Sequence, residues 1–190
     1  MASPVFHGLA GAGLAYAMAG DGRLPLFASW RKTGPLLFAA AILACLPDVD
    51  YLPGIWRGQL NAVHQQATHS LGWVLLASAG LWLTGRAWRP AVFGWRAGTF
   101  ILVLVSSHLA IDLVTVDTRA PIGIPLWAPL SDDPVHAPFT LLPAWSKASL
   151  GDLLQPRNLR ALAIEGGAGL AFAAGCVAAK RGWTRRKAAL

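Results

Sequence analysis

The sequence predicts an all-α integral membrane protein, a polytopic helix bundle with about five transmembrane helices. Its 190 residues are 55% hydrophobic and only 13% charged, against roughly 25% charged residues in an ordinary soluble domain. The mean hydropathy is +0.48. Most of the nine Trp residues lie near the ends of apolar runs, as Trp56, Trp88 and Trp183 do. Trp favours the headgroup level of a bilayer, so composition and placement indicate a membrane protein and exclude intrinsic disorder.

Five apolar segments follow one another along a single domain, at about residues 4–19, 35–46, 70–84, 97–116 and 161–179. A spanning helix needs roughly 20 apolar residues, in a range of about 17 to 25. The fourth and fifth segments reach this length. The first three are shorter, and we expect neighbouring helices to bury some of them. Residues 117–160, rich in Pro and Trp, are expected to form a long, partly ordered outer loop.

The basic residues predict the orientation of these helices. Alternate loops divide the 16 Lys and Arg residues into a set of eleven and a set of five. The larger set is Arg23, Arg31, Lys32, Arg86, Arg89, Arg96, Lys180, Arg181, Arg185, Arg186 and Lys187, and the smaller set is Arg57, Arg119, Lys147, Arg157 and Arg160. Cytoplasmic loops carry the excess of basic residues, so we predict an outer N-terminus and a cytoplasmic C-terminus. The clusters form no basic face with interleaved aromatics, so the bilayer rather than nucleic acid is the expected partner.

The histidines and carboxylates gather on the predicted outer side. All five His and eight of the nine acidic residues fall there, and Asp21 is the exception. Along the chain the candidates are His7 at the start of the first segment, Asp48 and Asp50 after the second, His64 and His69 before the third, His108 and Asp112 in the outer half of the fourth, and Glu165 in the first turns of the fifth. The predicted orientation rests on the basic residues alone, so this convergence independently indicates one site.

A mixed set of imidazoles and carboxylates favours zinc, manganese or iron over magnesium or calcium. His108 and Asp112 are four residues apart, so they share a helix face and can bind one ion. The alternative for this pair is a hydrogen bond that joins helices, and the alternative for Asp48 and Asp50 is an Asx turn at a helix end. Ionisable residues inside a membrane are functional by default, which favours the metal interpretation for the first pair.

The remaining candidates are weaker when taken one at a time. His64 and His69 are five residues apart and do not share a helix face. If Thr68 caps the third helix, His69 enters its first turn and His64 stays in the loop. Taken alone, His7 is more often an ordinary residue of a helix start. For Glu165 the alternative is a first-turn acid that complements the helix dipole.

The ordered motifs resemble a family of bacterial inner-membrane proteins described as metal-dependent hydrolases and as LexA-binding membrane proteins. The resemblance covers about residues 5–143 and rests on His7 and on the stretches 46–50 (LPDVD), 64–70 (HQQATHS), 107–115 (SHLAIDLVT) and 123–131 (GIPLWAPLS). The sequence departs from the family pattern at Gln65, where Arg is frequent. The His and Asp set is also similar to the metal sites of zinc-dependent phospholipase C, which is an analogy of chemistry alone.

The resemblance implies a divalent-metal hydrolase of the bacterial inner membrane, with zinc as the first expectation and manganese or iron as alternatives. We interpret five residues as metal ligands, namely His7, Asp48, His69, His108 and Asp112, and three as further ligands or general base, namely Asp50, His64 and Glu165. A site at headgroup depth favours a lipid or lipid-linked ester or phosphoester. The alternative function is a non-catalytic regulatory or metal-binding membrane protein. A permease is disfavoured, because the inner halves of the helices carry almost no polar residues.

Overall fold

The computed structural model describes residues 1–19, 33–59, 64–118, 120–147 and 149–188, and these residues are mainly helical. Six α-helices occur in them: α1 (Pro4–Met18), α2 (Thr33–Ala44), α3 (Tyr51–Trp56), α4 (Leu71–Trp88), α5 (Trp95–Leu113) and α6 (Pro156–Ala188). Short 3-10 helices form at Leu46–Asp50, Ala67–His69 and Leu150–Leu154. Within the described residues, β pairing is limited to two isolated bridges, Thr115–Leu142 and Ile124–Val135. The predicted all-α class is confirmed.

Local sequence signals account for the helix starts. Both α1 and α6 begin at a proline, whose fixed φ and missing N–H suit the first helical position. Ser70 caps α4, because its hydroxyl accepts a hydrogen bond from the backbone N–H of Trp73 at 3.2 Å. The condition that Thr68 caps this helix is therefore not met. His69 lies in the 3-10 turn before the helix rather than in its first turn.

Two helices are long and apolar enough to cross a membrane, α5 and residues Pro156–Lys187 of α6. Together, α2 and residues 46–56 are also long and apolar enough to cross a membrane, although they bend by 59° where they meet. They form a third crossing if they act as one span. The α1 helix has 15 residues and α2 has 12, fewer than the roughly 17 that a span needs. The described residues therefore support two to three candidate spans, and the prediction of about five is not confirmed.

The predicted segments correspond to α1, α2, α4, α5 and α6, with shifted ends. The largest shift is in α6, which begins before residue 161 and ends beyond residue 179. Its extended end carries Arg185, Arg186 and Lys187, which complement the dipole at a helix C-terminus. Glu165 consequently lies in the interior of α6 and not in its first turns. Four residues of the orientation argument, Arg23, Arg31, Lys32 and Arg119, lie outside the described residues, and the orientation stays a prediction.

Small residues allow α1 to pack closely against α2 and α6. A Cβ atom placed on Gly11 would lie 2.5 Å from the Cβ of Ala44, and one placed on Gly13 would lie 2.9 Å from the Cα of Ala173. Such contacts require glycine, because any side chain would push the helices apart. This packing brings the start of α1, the end of α2 and the C-terminal half of α5 together at one end of the bundle.

The long segment after α5 folds back over the same end of the bundle. Backbone N–H groups of Val116 and Leu71 donate hydrogen bonds to the carbonyls of Leu142 at 3.0 Å and Leu126 at 2.9 Å, respectively. These bonds attach the segment to the end of α5 and to the start of α4. Buried polar side chains at this end of the bundle lie beneath this cover.

Candidate metal centre

The five predicted metal ligands converge at this end of the bundle from four separate segments. They are His7 from α1, Asp48 from the 3-10 helix that follows α2, His69 from the turn before α4, and His108 and Asp112 from α5. The three histidines are fully buried, and Asp112 is only 4% exposed. Polar groups held this far from water need partners, so the arrangement of their nitrogen and oxygen atoms is informative.

His108 lies at the centre of the cluster. Its Nδ1 donates a hydrogen bond to the carbonyl of Ala44 at 2.8 Å, which leaves Nε2 as the nitrogen that faces the other side chains. This Nε2 lies 3.2 Å from Asp112 Oδ2, 3.5 Å from Asp48 Oδ1 and 3.3 Å from His69 Nε2. A backbone carbonyl behind one imidazole nitrogen is the usual means of directing the other nitrogen at a metal.

His7 stacks on His108, with ring centroids 3.7 Å apart and an interplanar angle of 12°. Its Nε2 lies 3.4 Å from Asp112 Oδ1, but neither of its nitrogens forms a hydrogen bond. Asp112 Oδ1 accepts a hydrogen bond from the backbone N–H of Ala2 at 3.2 Å, whereas Oδ2 has no hydrogen-bond partner. The pair predicted from the i, i+4 spacing in α5 thus gains a third member from α1.

His69 and His64 meet through Asp50, although their spacing excluded a shared helix face. His69 Nδ1 lies 3.2 Å from Asp50 Oδ2 and 3.0 Å from Thr68 Oγ1. The hydroxyl of Thr68 donates to the same carboxylate at 2.7 Å. His69 Nε2 therefore points the other way, to within 3.6 Å of Asp112 Oδ2 and 3.8 Å of Asp48 Oδ1. Asp50 orients the ring of His69 from behind.

His64 donates a hydrogen bond from Nδ1 to Asp50 Oδ1 at 2.7 Å and stacks on Tyr51, with ring centroids 3.6 Å apart. Burial lowers the pKa of His64 to about 4, even though the hydrogen bond to Asp50 acts in the opposite direction. The imidazole is therefore neutral at physiological pH. Its Nε2 is buried without a hydrogen-bond partner, and so it is free to bind a metal or to accept a proton.

The unpaired atoms fit a divalent metal. Five buried atoms of the cluster have no hydrogen-bond partner among the described residues: both nitrogens of His7, one oxygen each of Asp48 and Asp112, and His64 Nε2. Leaving a buried polar atom unpaired costs about 1 to 3 kcal/mol, and a bound cation would satisfy several at once. Three groups have ligand atoms within 4.8 Å of one another: His7, His108 and Asp112; Asp48, His69 and His108; and Asp50, His64 and His69.

Glu165 is placed apart from these three groups. It is fully buried, and its two carboxylate oxygens accept hydrogen bonds from the backbone N–H of Ser3 and from the indole N–H of Trp145, each at 2.7 Å. These bonds fasten the start of α1 and the segment after α5 to α6. The geometry makes Glu165 a candidate for positioning His7, which follows Ser3 by one turn.

Lys147 is a neighbour of the site that the sequence alone does not predict as a site residue. Its ammonium group donates a hydrogen bond to the hydroxyl of Tyr51 at 2.5 Å. Burial lowers its pKa, partly offset by the nearby carboxylates of Asp48 and Asp112. In the sequence Lys147 is an isolated base in a Pro-rich loop, and no spacing relates it to Tyr51. Only the return of the loop to the bundle brings the two together.

Comparison with known proteins identifies similar membrane proteins. Residues 1–185 match the sequence profile of a family described as YdjM inner membrane protein. The inner membrane protein YbcI of Escherichia coli strain K12 is 34% identical over 110 residues, which cover 56% of this chain and 61% of the relative. The match thus spans less than two thirds of that curated relative. No solved structure matches the chain.

Proposed function

The chain belongs to the YdjM inner membrane protein family, and from this premise we propose that it is a membrane-embedded, metal-dependent hydrolase. The proposed substrate is a lipid or a lipid-linked ester or phosphoester, hydrolysed at the outer face of the inner membrane. The observation that carries the proposal is the set of buried, unpaired His and Asp atoms at one end of the bundle. An apolar setting makes such atoms costly unless they serve a bound cation.

His7, Asp48, His69, His108 and Asp112 are the proposed ligands, since their atoms supply the first two groups of the cluster. Mixed imidazole and carboxylate donors favour zinc, and they also accept manganese or iron. When bound, such a metal supplies Lewis acidity, which lowers the pKa of water toward about 7 and polarises an ester.

The other predicted site residues act on protons and on orientation. The carboxylate of Asp50 accepts a hydrogen bond from His64 Nδ1 and lies 3.2 Å from His69 Nδ1. It therefore fixes the direction in which each ring points. In this proposal His64 accepts a proton at Nε2, the nitrogen that has no partner. Glu165 positions α1, and with it His7, through the bond to Ser3.

Elemental analysis of the purified protein tests the metal, and an ester screen tests the reaction. The wild-type protein and a His136→Ala control, which alters a histidine outside the three groups, are expected to retain a divalent metal. His108→Ala is expected to lose it, because His108 belongs to two of the groups, and to lower hydrolysis by about 100-fold or more. The screen uses phosphomonoester, phosphodiester and carboxylic ester substrates, with zinc, manganese and iron supplied separately.

Two outcomes would contradict this function. Absence of any bound divalent metal in the wild-type protein, together with unchanged behaviour of His108→Ala, would reject the metal centre. A stoichiometric metal without hydrolysis of any ester would instead support the non-catalytic metal-binding alternative. Unchanged cellular function of Asp112→Asn in a complementation assay would favour a regulatory protein, because a regulator tolerates the loss of a ligand.

A further inference from the structure

A groove of about 710 Å³ runs beside the metal centre, between α1, α2, α3 and α6. Its wall is almost wholly apolar, and the two charged side chains that line it are Asp48 and Lys147. Ile42 and Leu52 line the groove and remain 53% and 62% exposed, so it opens on the outer surface of the bundle. Cavities of about 300 to 1,000 Å³ are the size that holds a small organic ligand.

Lys147 lines this groove without a paired carboxylate. Among the described residues no carboxylate oxygen lies within 4.0 Å of its ammonium nitrogen, and its hydrogen-bond partner is the neutral hydroxyl of Tyr51. The same lysine lines a second, small polar cavity together with His64. A partly buried ammonium without a paired anion is unfavourable. The lysine therefore marks a place where an anionic group of a ligand would be stabilised.

We propose that the groove binds an acyl chain of a phosphorylated lipid whose phosphate contacts the ammonium group of Lys147. This arrangement places the phosphate beside Asp48, one of the proposed metal ligands, since both side chains line the groove. The proposal deepens the proposed function and rests on it for the reaction. Binding of the lipid itself depends only on the groove and on Lys147.

The apolar wall of the groove favours an acyl chain, and the charge of Lys147 favours an anionic headgroup. An acyl chain that leaves the bilayer for this groove moves between two apolar surroundings, so the groove orients the lipid while the headgroup provides selectivity. The charge at Lys147 requires an anion. A phosphate directs its oxygens to four corners, so one oxygen can face Lys147 while another would face the metal that Asp48 and its neighbours are proposed to hold.

Binding of short-chain lipids to the detergent-purified protein tests this proposal without a catalytic readout. The probes are dioctanoyl phosphatidic acid, dioctanoylglycerol, which lacks the phosphate, and inorganic phosphate. Chelated and metal-supplemented samples are measured in parallel. The wild-type protein is expected to bind the phosphatidic acid at least about 10-fold more tightly than dioctanoylglycerol, which is the usual size of a charge-assisted hydrogen bond.

Two variants separate the headgroup site from the groove. Lys147→Gln is expected to weaken phosphatidic acid binding by about 10- to 100-fold. Lys147→Arg keeps the positive charge and is expected to bind within a few fold of the wild-type affinity. The melting temperatures of both variants without ligand show whether the fold is intact. Ile42→Trp fills the groove and is expected to weaken binding. Its matched control, Leu170→Trp, changes a leucine that is 62% exposed on α6 and does not line the groove.

The proposal is overturned if Lys147→Gln binds phosphatidic acid as tightly as the wild-type protein, or if dioctanoylglycerol binds equally well. Equal affinity for inorganic phosphate, together with no effect of Ile42→Trp, would show a free-phosphate site and reject the lipid. Failure of the proposed function alone gives a different result. In that case no metal binds and no ester is hydrolysed, yet chelated wild-type protein still prefers phosphatidic acid to dioctanoylglycerol and Lys147→Gln loses this preference. Conversely, metal-dependent hydrolysis of a water-soluble ester without any effect of Lys147→Gln on lipid binding rejects this proposal alone.

Discussion

Removing the metal is expected to destabilise the folded protein, because the proposed ligands come from four segments that unfolding would disperse. His7, Asp48, His69 and the pair on α5 are joined in the fold by contacts of 3.2 to 3.8 Å. A ligand that binds only the native state stabilises it by about 2.7 kcal/mol when its concentration is 100 times its dissociation constant. In a chain of 190 residues, each kcal/mol shifts the melting temperature by about 2 to 4 °C. Chelation should therefore lower the melting temperature by about 5 to 11 °C.

The measurement is a thermal melt of the detergent-purified protein with chelator and then with a titration of zinc. Returning zinc in excess should restore the melting temperature of the wild-type protein and of the His136→Ala control. His108→Ala should respond far less, because its imidazole contributes to two of the three groups. A wild-type melting temperature that is independent of zinc, or an equal zinc response in His108→Ala, would refute the reasoning.

Three other experiments test the fold around the site and the orientation of the chain. Gly11→Ala should destabilise the protein by about 1 to 3 kcal/mol, because the new Cβ would lie 2.5 Å from the Cβ of Ala44. Gly175→Ala is the control, since its new Cβ meets nothing within 4 Å. Equal melting temperatures of the two variants would contradict the observed helix contact. Ser70→Ala removes the cap of α4 and should lower the free energy of unfolding, measured in urea, by about 1 kcal/mol. A Ser70→Gly variant should lie nearer to wild type. An unchanged free energy of unfolding in Ser70→Ala would show that the cap is unimportant. A reporter fused to the C-terminus should be active in the cytoplasm, since basic residues follow the last helix, and activity only after export would reverse the predicted orientation.

The helical class and the pairing within α5 could be predicted because both depend on local sequence. Apolar runs and low charge indicate membrane helices wherever the rest of the chain lies. Residues four apart share a helix face regardless of tertiary context, and His108 Nε2 does lie 3.2 Å from Asp112 Oδ2. The order of segments and polar residues also predicted that the five candidate metal ligands gather together, as they do at one end of the bundle.

The bend and the helix ends near the site escaped prediction. Residues 46–56 continue α2 after a 59° turn, and this bend carries Asp48 and Asp50 toward α5. Apolar composition is the same in a straight and a broken span, so the pattern does not contain the bend. Similarly, Thr68 and Ser70 are both good capping residues by type, and only the hydrogen bond to Trp73 distinguishes them.

By itself the sequence determined the all-α membrane class, the shared face of His108 and Asp112, and the accumulation of His and Asp residues toward one side. Tertiary structure decided how Asp50 joins His64 to His69. It also decided that the carboxylate of Glu165 accepts hydrogen bonds from the start of α1 and from the Pro-rich segment, and that Lys147 contacts Tyr51. Lys147 and Tyr51 are 96 positions apart in the sequence. Helical periodicity and charge bias act over a few turns of chain, whereas such contacts arise only when packing closes a long loop onto the bundle.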